Sequence, residues 1–122
     1  MEEIYTIQEI NNQDSTLLAQ IDINAKHAVF KGHFPQRAVL PGVLQIEMIK
    51  TVLGDYFSGS YQLVNIKNAK YLNMILPDEN QCLALEIKYN EIEENAIKVK
   101  AVLKAEGQVF LKFSGEFVAD NE

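Results

Sequence analysis

The chain has 122 residues, of which 48% are apolar and 23% charged, a composition typical of one folded domain rather than a disordered segment. Its single cysteine, Cys82, excludes an internal disulfide, and we interpret it as a small apolar strand residue. The net charge of −6 argues against general nucleic-acid binding. The acidic start does not resemble a signal peptide, and no apolar run is long enough to span a bilayer. We therefore expect one cytoplasmic domain over residues 1–122.

The first third of the chain predicts extended structure followed by a loop. Residues 1–10 are typical of a short strand or lead-in. Residues 15–24 alternate apolar and polar side chains, which predicts a strand. Glycine and proline then predict a loop over residues 31–41.

The hydrophobic period changes after Pro41, whose missing N–H suits the start of a helix. From Gly42 to Phe57, apolar residues cover one broad helical face, and a narrower stripe contains Glu47 and Lys50. Ser58 and the residues after it end the pattern. So wide an apolar arc predicts a helix that other structure largely covers.

The rest of the chain alternates again and predicts four more strands. Glu106-Gly107 between the last two is a hairpin signal. The last three strands each have one apolar face, and the predicted helix is the element that can cover them. Periodicity therefore predicts an α+β domain with an antiparallel sheet and one central helix. The four predicted strands are residues 61–72, 82–90, 96–104 and 108–118.

Two histidines are present, and one of them, His33, lies in the loop before the helix, fourteen positions ahead of Glu47. An imidazole and a carboxylic acid suit β-elimination, in which the base takes a proton beside a thioester carbonyl and the acid protonates the departing hydroxyl. The N–H of Gly42 at the helix N-terminus is suited to stabilise charge on that carbonyl, with no side chain to block approach. The same residues also fit a structural histidine and a solvated carboxylate beside Lys50. We interpret the second histidine, His27, as a surface or strand residue.

Three short motifs resemble the signature of the 3-hydroxyacyl-acyl-carrier-protein dehydratases. They are Gly-His-Phe-Pro at residues 32–35, Pro-Gly-Val-Leu at residues 41–44, and a glutamate three residues later at Glu47. A weaker similarity covers residues 70–78, which end in a proline turn. The resemblance implies the hotdog fold, an antiparallel sheet wrapped around one long central helix at about residues 42–57.

The resemblance also implies a role for each matching residue. His33 would be the catalytic base and Glu47 the acid. The N–H of Gly42 would polarise the thioester carbonyl, and the carbonyl of Val39 would orient the His33 ring. No cofactor and no metal are implied. Neighbouring residues implied to contact the substrate are Phe34 and Val43.

Members of that family are dimers, which implies a homodimer or a higher homo-oligomer, and their substrate arrives on an acidic acyl carrier protein with a phosphopantetheine arm. Residues 24–72 contain six Lys and Arg residues against two acidic residues, although the whole chain is acidic. A basic segment is suited to an anionic partner. The candidate contacts with the carrier are Lys26, Lys31, Arg37, Lys67 and Lys70.

The chain departs from the family pattern just after Glu47, where residues 48–51 replace the usual Ala-x-Ala-Gln. If Lys50 pairs with Glu47, it would hold the carboxyl ionised and make it a poorer acid. We predict dehydration of a 3-hydroxyacyl thioester to the trans-2-enoyl product, in fatty-acid or related acyl or polyene biosynthesis. The alternatives are a hotdog thioesterase, in which Glu47 activates water, and a non-catalytic subunit that binds an acyl carrier.

Overall fold

One α-helix, one short 3-10 helix and six strands make up the part of the chain that the computed structural model describes, residues 3–30, 39–93 and 95–120. The 3-10 helix spans Ala28–Phe30, and the α-helix, α1, spans Gly42–Phe57. The strands are β1 (Tyr5–Gln13), β2 (Thr16–Ile23), β3 (Tyr61–Tyr71), β4 (Cys82–Glu93), β5 (Ala96–Ala105) and β6 (Gln108–Ala119).

The six strands form one antiparallel sheet in the order β1-β2-β4-β5-β6-β3, so that β1 and β3 are its edges. Glu106 and Gly107 connect β5 to β6 with φ angles of 49° and 77°. Two adjacent residues with positive φ suit the twist of a hairpin, so the predicted turn is confirmed. Asp14 and Ser15 make a second turn of this kind, with φ angles of 51° and 58°, which the sequence analysis did not predict.

The sheet packs on α1, whose bounds agree with the predicted helix. Met48, Ile49, Val52 and Leu53 of α1 are fully buried. Alternate residues of the strands meet them, because every second side chain of a strand points to the same face. The observed fold is therefore the expected α+β hotdog arrangement.

Some details differ from the sequence predictions. Strand β1 continues to Gln13, beyond the predicted limit, because it pairs along its whole length with β2. Cys82 does begin a strand, but its side chain is exposed rather than part of the apolar core. Most of the predicted loop, residues 31–38, lies outside the described residues. In the described part of the chain, no helix has the length and apolar character needed to cross a membrane.

Candidate active site

A groove of about 710 Å³ lies between the start of β1 and the exposed side of α1, and we call it the helix groove. Its volume is in the range of small-molecule sites. Apolar residues of both elements form part of its wall. The side chains in it that can carry charge or a hydrogen bond include Glu3, Tyr5, His27, Glu47, Thr51 and Asp55.

Glu47 lies in the middle of α1, on the stripe that faces away from the sheet, and its side chain is exposed to the groove. Its backbone carbonyl accepts a hydrogen bond of 2.9 Å from the hydroxyl of Thr51. Within the described residues, Glu47 and Lys50 form no ion pair, so the pairing considered above does not occur in this chain. The carboxyl of Glu47 is therefore open to a ligand in the helix groove.

Tyr5 connects the strand side of the groove to α1. Its hydroxyl lies 3.0 Å from the hydroxyl of Thr51. Burial raises the pKa of the Tyr5 phenol, and the negative charges of Glu47, Asp55 and Glu3 raise it further, while the hydrogen bond to Thr51 acts in the opposite direction. Burial is the main cause of the shift, and the three carboxylates add a negative contribution at Tyr5.

Gly42 is the first residue of α1, after Pro41 in an extended conformation. Within the described residues, its N–H donates no hydrogen bond, as is usual for the first N–H groups of a helix. The predicted approach to the Gly42 N–H stays a prediction, whereas the space on the Cβ side of Gly42 is filled. The phenol ring of Tyr71 lies 2.7 Å from where a Cβ of residue 42 would stand, and its hydroxyl donates a 3.1 Å hydrogen bond to the Gly42 carbonyl. The missing side chain therefore makes room for Tyr71.

The predicted base, His33, lies outside the described residues, as do Phe34, Lys31 and Arg37. Their predicted roles therefore stay predictions, and the structure gives no distance between His33 and Glu47.

The remaining predicted site residues are described, but they do not converge on the helix groove. Val39 is partly buried just before α1, and Val43 is 73% exposed on the first helical turn. Lys67 and Lys70 are exposed on β3.

Two residues of interest were not predicted. His27 lines the helix groove together with Glu47, although 20 positions separate them in sequence. Gln45 is only 3% exposed in the first turn of α1. Its amide nitrogen donates a 3.4 Å hydrogen bond to the carbonyl of Leu40, whereas its side-chain oxygen has no partner among the described residues. No periodic pattern could reveal either residue. The contact of His27 with the helix groove depends on the tertiary fold, and a helical pattern treats a glutamine such as Gln45 as a surface residue.

The model of one protein family, described as ApeI-like: ApeI dehydratase, matches residues 9–113 of this chain. The chain belongs to the ApeI-like dehydratase family. The match includes the motifs at residues 32–35 and 41–44 together with Glu47, so the resemblance to dehydratases noted from the sequence is confirmed at the level of the family.

Curated relatives agree with this assignment. The chain is 27% identical over 112 residues to the 3-hydroxyacyl-[acyl-carrier-protein] dehydratase FabZ of Xanthomonas euvesicatoria pv. vesicatoria, covering 84% of this chain and 72% of the relative. It is thus a divergent member of a FabZ-like group of hotdog proteins.

Solved structures share the fold. The dehydratase heterocomplex ApeI:P from Xenorhabdus doucetiae contains a chain that matches with a TM-score of 0.71 and 18% identity, over 93% of this chain and 96% of that one. A thioesterase from Haemophilus influenzae matches with a TM-score of 0.64 and 12% identity, over 96% of this chain and 78% of that one. At these identities the likeness shows the fold alone.

Proposed function

We propose that this protein dehydrates 3-hydroxyacyl thioesters carried on acyl carrier protein to the trans-2-enoyl thioesters. The observation that supports this most is the position of Glu47, which is exposed in a ligand-sized groove inside the segment matched by the dehydratase family. The N–H of Gly42 stands at the start of the same helix. An acid and an oxyanion donor on one rigid helix suit the chemistry of elimination beside a thioester.

In the proposed reaction, the imidazole of His33 removes a proton from the carbon next to the thioester carbonyl. The N–H of Gly42 stabilises the negative charge that develops on the carbonyl oxygen. Glu47 donates its proton to the departing hydroxyl, the carbon–oxygen bond breaks, and water leaves as the double bond forms. The Val39 carbonyl would accept a hydrogen bond from the second ring nitrogen of His33, which would turn the basic nitrogen towards the substrate.

We further propose that the active protein is a homodimer joined through β3. This strand is an edge of the sheet, and apolar side chains near it are exposed: Val64 (57%), Ile66 (47%) and Met74 (68%). A long edge strand with exposed apolar residues favours pairing with another chain. His33 of one protomer would then face Glu47 of its partner. Because one matched structure is of a heterocomplex, a different hotdog chain is the alternative partner, and the mass of the purified complex distinguishes the two.

The carrier would bring an acidic surface to the basic side of the chain. Lys70 stands opposite Lys112 of β6, on the sheet face that Tyr71 does not share, so we propose that it contacts the surface of the carrier rather than the thioester. Lys67 lies three residues earlier on the same strand. The other proposed carrier contacts are Lys31 and Arg37.

A thioesterase is the second candidate function, because the fold is shared with the Haemophilus influenzae thioesterase and because the exposed carboxyl of Glu47 is accessible to water. In that reaction Glu47 would activate water against the thioester carbonyl and release a free acid. The product distinguishes the two reactions.

The test is turnover of 3-hydroxyacyl carrier protein of several chain lengths, followed by mass spectrometry, for the wild type, His33→Ala and His27→Ala. Loss of one water by the wild type, abolished in His33→Ala, is the expected result. If His27→Ala loses activity and His33→Ala keeps it, the catalytic base is His27 of the helix groove rather than His33. Release of a free acid would make the protein a thioesterase. Binding of the carrier with no change in mass would indicate a non-catalytic subunit.

A further inference from the structure

A second groove lies on the outer face of the sheet, the face that points away from α1, and we call it the sheet groove. It has a volume of about 600 Å³ and is formed by β3, β4, β5 and β6. None of the residues that line it lines the helix groove. Its cationic side chains are Lys67, Lys88, Lys98 and Lys100.

The strand register brings these lysines together. Lys88 of β4 stands directly opposite Lys100 of β5, and Lys98 lies two positions along β5 on the same face. Directly opposed residues are about 4.5–5.5 Å apart at Cβ, and residues two apart on one strand are separated by roughly 7 Å. Lys67 approaches from β3, where the pairing with β6 shifts between Ile66 and Asn68. The register therefore places three lysines side by side on β4 and β5, with Lys67 on the far side of β6 in the same groove.

Like charges directly opposite on neighbouring strands destabilise a sheet, so the Lys88–Lys100 pair favours a bound anion, whereas Lys98 stands opposite Glu116 of β6. Within the described residues, none of the four lysines forms an ion pair, and Glu116 is the one carboxylate that lines the groove. The neighbouring Lys104 does find a partner, the carboxylate of Glu86 at 3.3 Å. The chain as a whole carries a charge of −6, so this local excess of positive charge is not a consequence of composition.

The type of cation indicates the type of anion. All four are lysines, whose ammonium groups bind phosphate as compact point charges with three donors each. Three neutral polar side chains complete the lining and can hydrogen-bond sugar or phosphate oxygens: Asn65, Asn90 and Ser114. A concave site of this volume suits a small ligand better than the flat surface of a membrane.

We propose that the sheet groove binds a small molecule with two or more phosphate groups, of the class of a nucleoside diphosphate. The site is separate from the helix groove, and the proposal does not depend on the reaction proposed for Glu47. Binding would neutralise the opposed lysines and so stabilise the folded chain, by an amount that grows with the logarithm of ligand concentration once that exceeds the Kd.

The test is calorimetric titration of the full chain with adenosine diphosphate and with inorganic pyrophosphate at low and physiological ionic strength. The double variant Lys98→Gln/Lys100→Gln, both on β5, is compared with Lys104→Gln/Lys112→Gln, which removes the same charge from β5 and β6 outside the groove lining. We expect the first double variant to weaken binding roughly tenfold or more, since two charged contacts are lost. The control should weaken it by less than about threefold, through long-range attraction alone.

Equal weakening in the two double variants would show diffuse attraction to the basic face and would overturn the proposal. So would the absence of any binding of either phosphate compound by the wild type at millimolar concentration. Titration with the acidic carrier protein and with anionic lipid vesicles completes the experiment: binding of either one, lost in Lys98→Gln/Lys100→Gln while the phosphate compounds do not bind, would make the groove a macromolecular docking surface instead.

Discussion

The two grooves of this protein have opposite electrostatic characters. Among the described residues, the helix groove contains the carboxylates of Glu3, Glu47 and Asp55, and burial together with these charges raises the pKa of Tyr5. The described lining of the sheet groove has four lysines and one carboxylate. Both lie in one small domain built of two packed layers: the helix groove lies on the helix side and the sheet groove on the outer face of the sheet.

The difference follows from how a strand separates its side chains. On β5, residues Ile97, Val99, Ala101 and Leu103 point inward and are buried, so the lysines between them are all placed on the outer face. The helix groove instead gathers residues from β1, a loop and α1, and its charge depends on tertiary contacts. The two regions therefore suit different ligands: the helix groove suits an uncharged reacting group near an acid, whereas the sheet groove suits an anion.

The largest expected effect is a loss of turnover when Glu47 of the helix groove is replaced. Glu47→Gln should lower turnover of the 3-hydroxyacyl substrate by about 10²–10⁴-fold, because an amide cannot donate the proton that the departing hydroxyl requires. Because the side chain is exposed, the free energy of unfolding should change by less than about 0.5 kcal/mol. Steady-state kinetics and urea unfolding of the same preparations measure the two quantities.

The matched comparison is Lys100→Gln, a substitution of one charged residue in the other groove, which should leave turnover unchanged. Full activity in Glu47→Gln would exclude Glu47 as the acid and would move attention to the other carboxylates of the helix groove. A loss of turnover in Lys100→Gln would mean that the two grooves are coupled.

Much of the fold was predictable from the sequence, because it depends on periodicity. The bounds of α1 follow from Pro41, from the apolar arc and from Ser58, which takes a left-handed conformation at the helix end. The turn at Glu106-Gly107 follows from local chemistry. The exact length of β1 was not predictable, because its pairing with β2 decides it.

The site was predictable only in part. Short motifs identified Glu47 and Gly42, whose residue types suit the proposed chemistry. Contacts between residues far apart in sequence were not predictable: Tyr71 and Gly42 are separated by 29 positions, and Tyr5 and Thr51 by 46. The burial of Gln45 is also a result of packing, which a helical pattern that places glutamine on the surface does not predict; in the part of the chain that the structure describes, its side-chain oxygen has no partner.

A smaller effect tests the negative character of the helix groove. Tyr5→Phe should lower the free energy of unfolding at neutral pH by about 0.5–1.5 kcal/mol, because the hydrogen bond to Thr51 is lost. The pKa of Tyr5 is raised in the folded chain above its ordinary value of 10.0. The stability that depends on the neutral phenol is thus present below pH 10.0 and is lost as pH rises through the folded-state pKa.

The wild type should therefore lose stability more steeply than Tyr5→Phe above pH 10.0, and urea unfolding across that range measures the difference. Burial also raises the pKa of Tyr61 and Tyr71. Both tyrosines are present in the wild type and in Tyr5→Phe, so their contributions to the pH dependence of stability cancel in the comparison. Thr51→Val is the control, because it removes the hydrogen bond and keeps the phenol, so its steep alkaline loss should remain. Parallel curves for the wild type and Tyr5→Phe would contradict the assignment of the shift to this groove.

The smallest effect tests the positive character of the sheet groove. Lys100→Gln should raise the free energy of unfolding by about 0.2–1 kcal/mol, since it removes the like charge opposite Lys88. Lys104→Gln, on the same strand and face, should lower it by at most about 1 kcal/mol, since it breaks the exposed ion pair with Glu86. Both changes should shrink as salt is added.

Opposite signs for two neighbouring lysines would show that the groove lysines repel one another locally rather than merely adding to the charge of the face. Adding pyrophosphate should then remove most of the gain from Lys100→Gln, because the bound anion stabilises the wild type in which the repulsion is otherwise present. The same sign for both variants, unchanged by pyrophosphate, would mean that the lysines of the sheet groove are ordinary solvated residues and that the contrast between the two grooves has no bearing on binding.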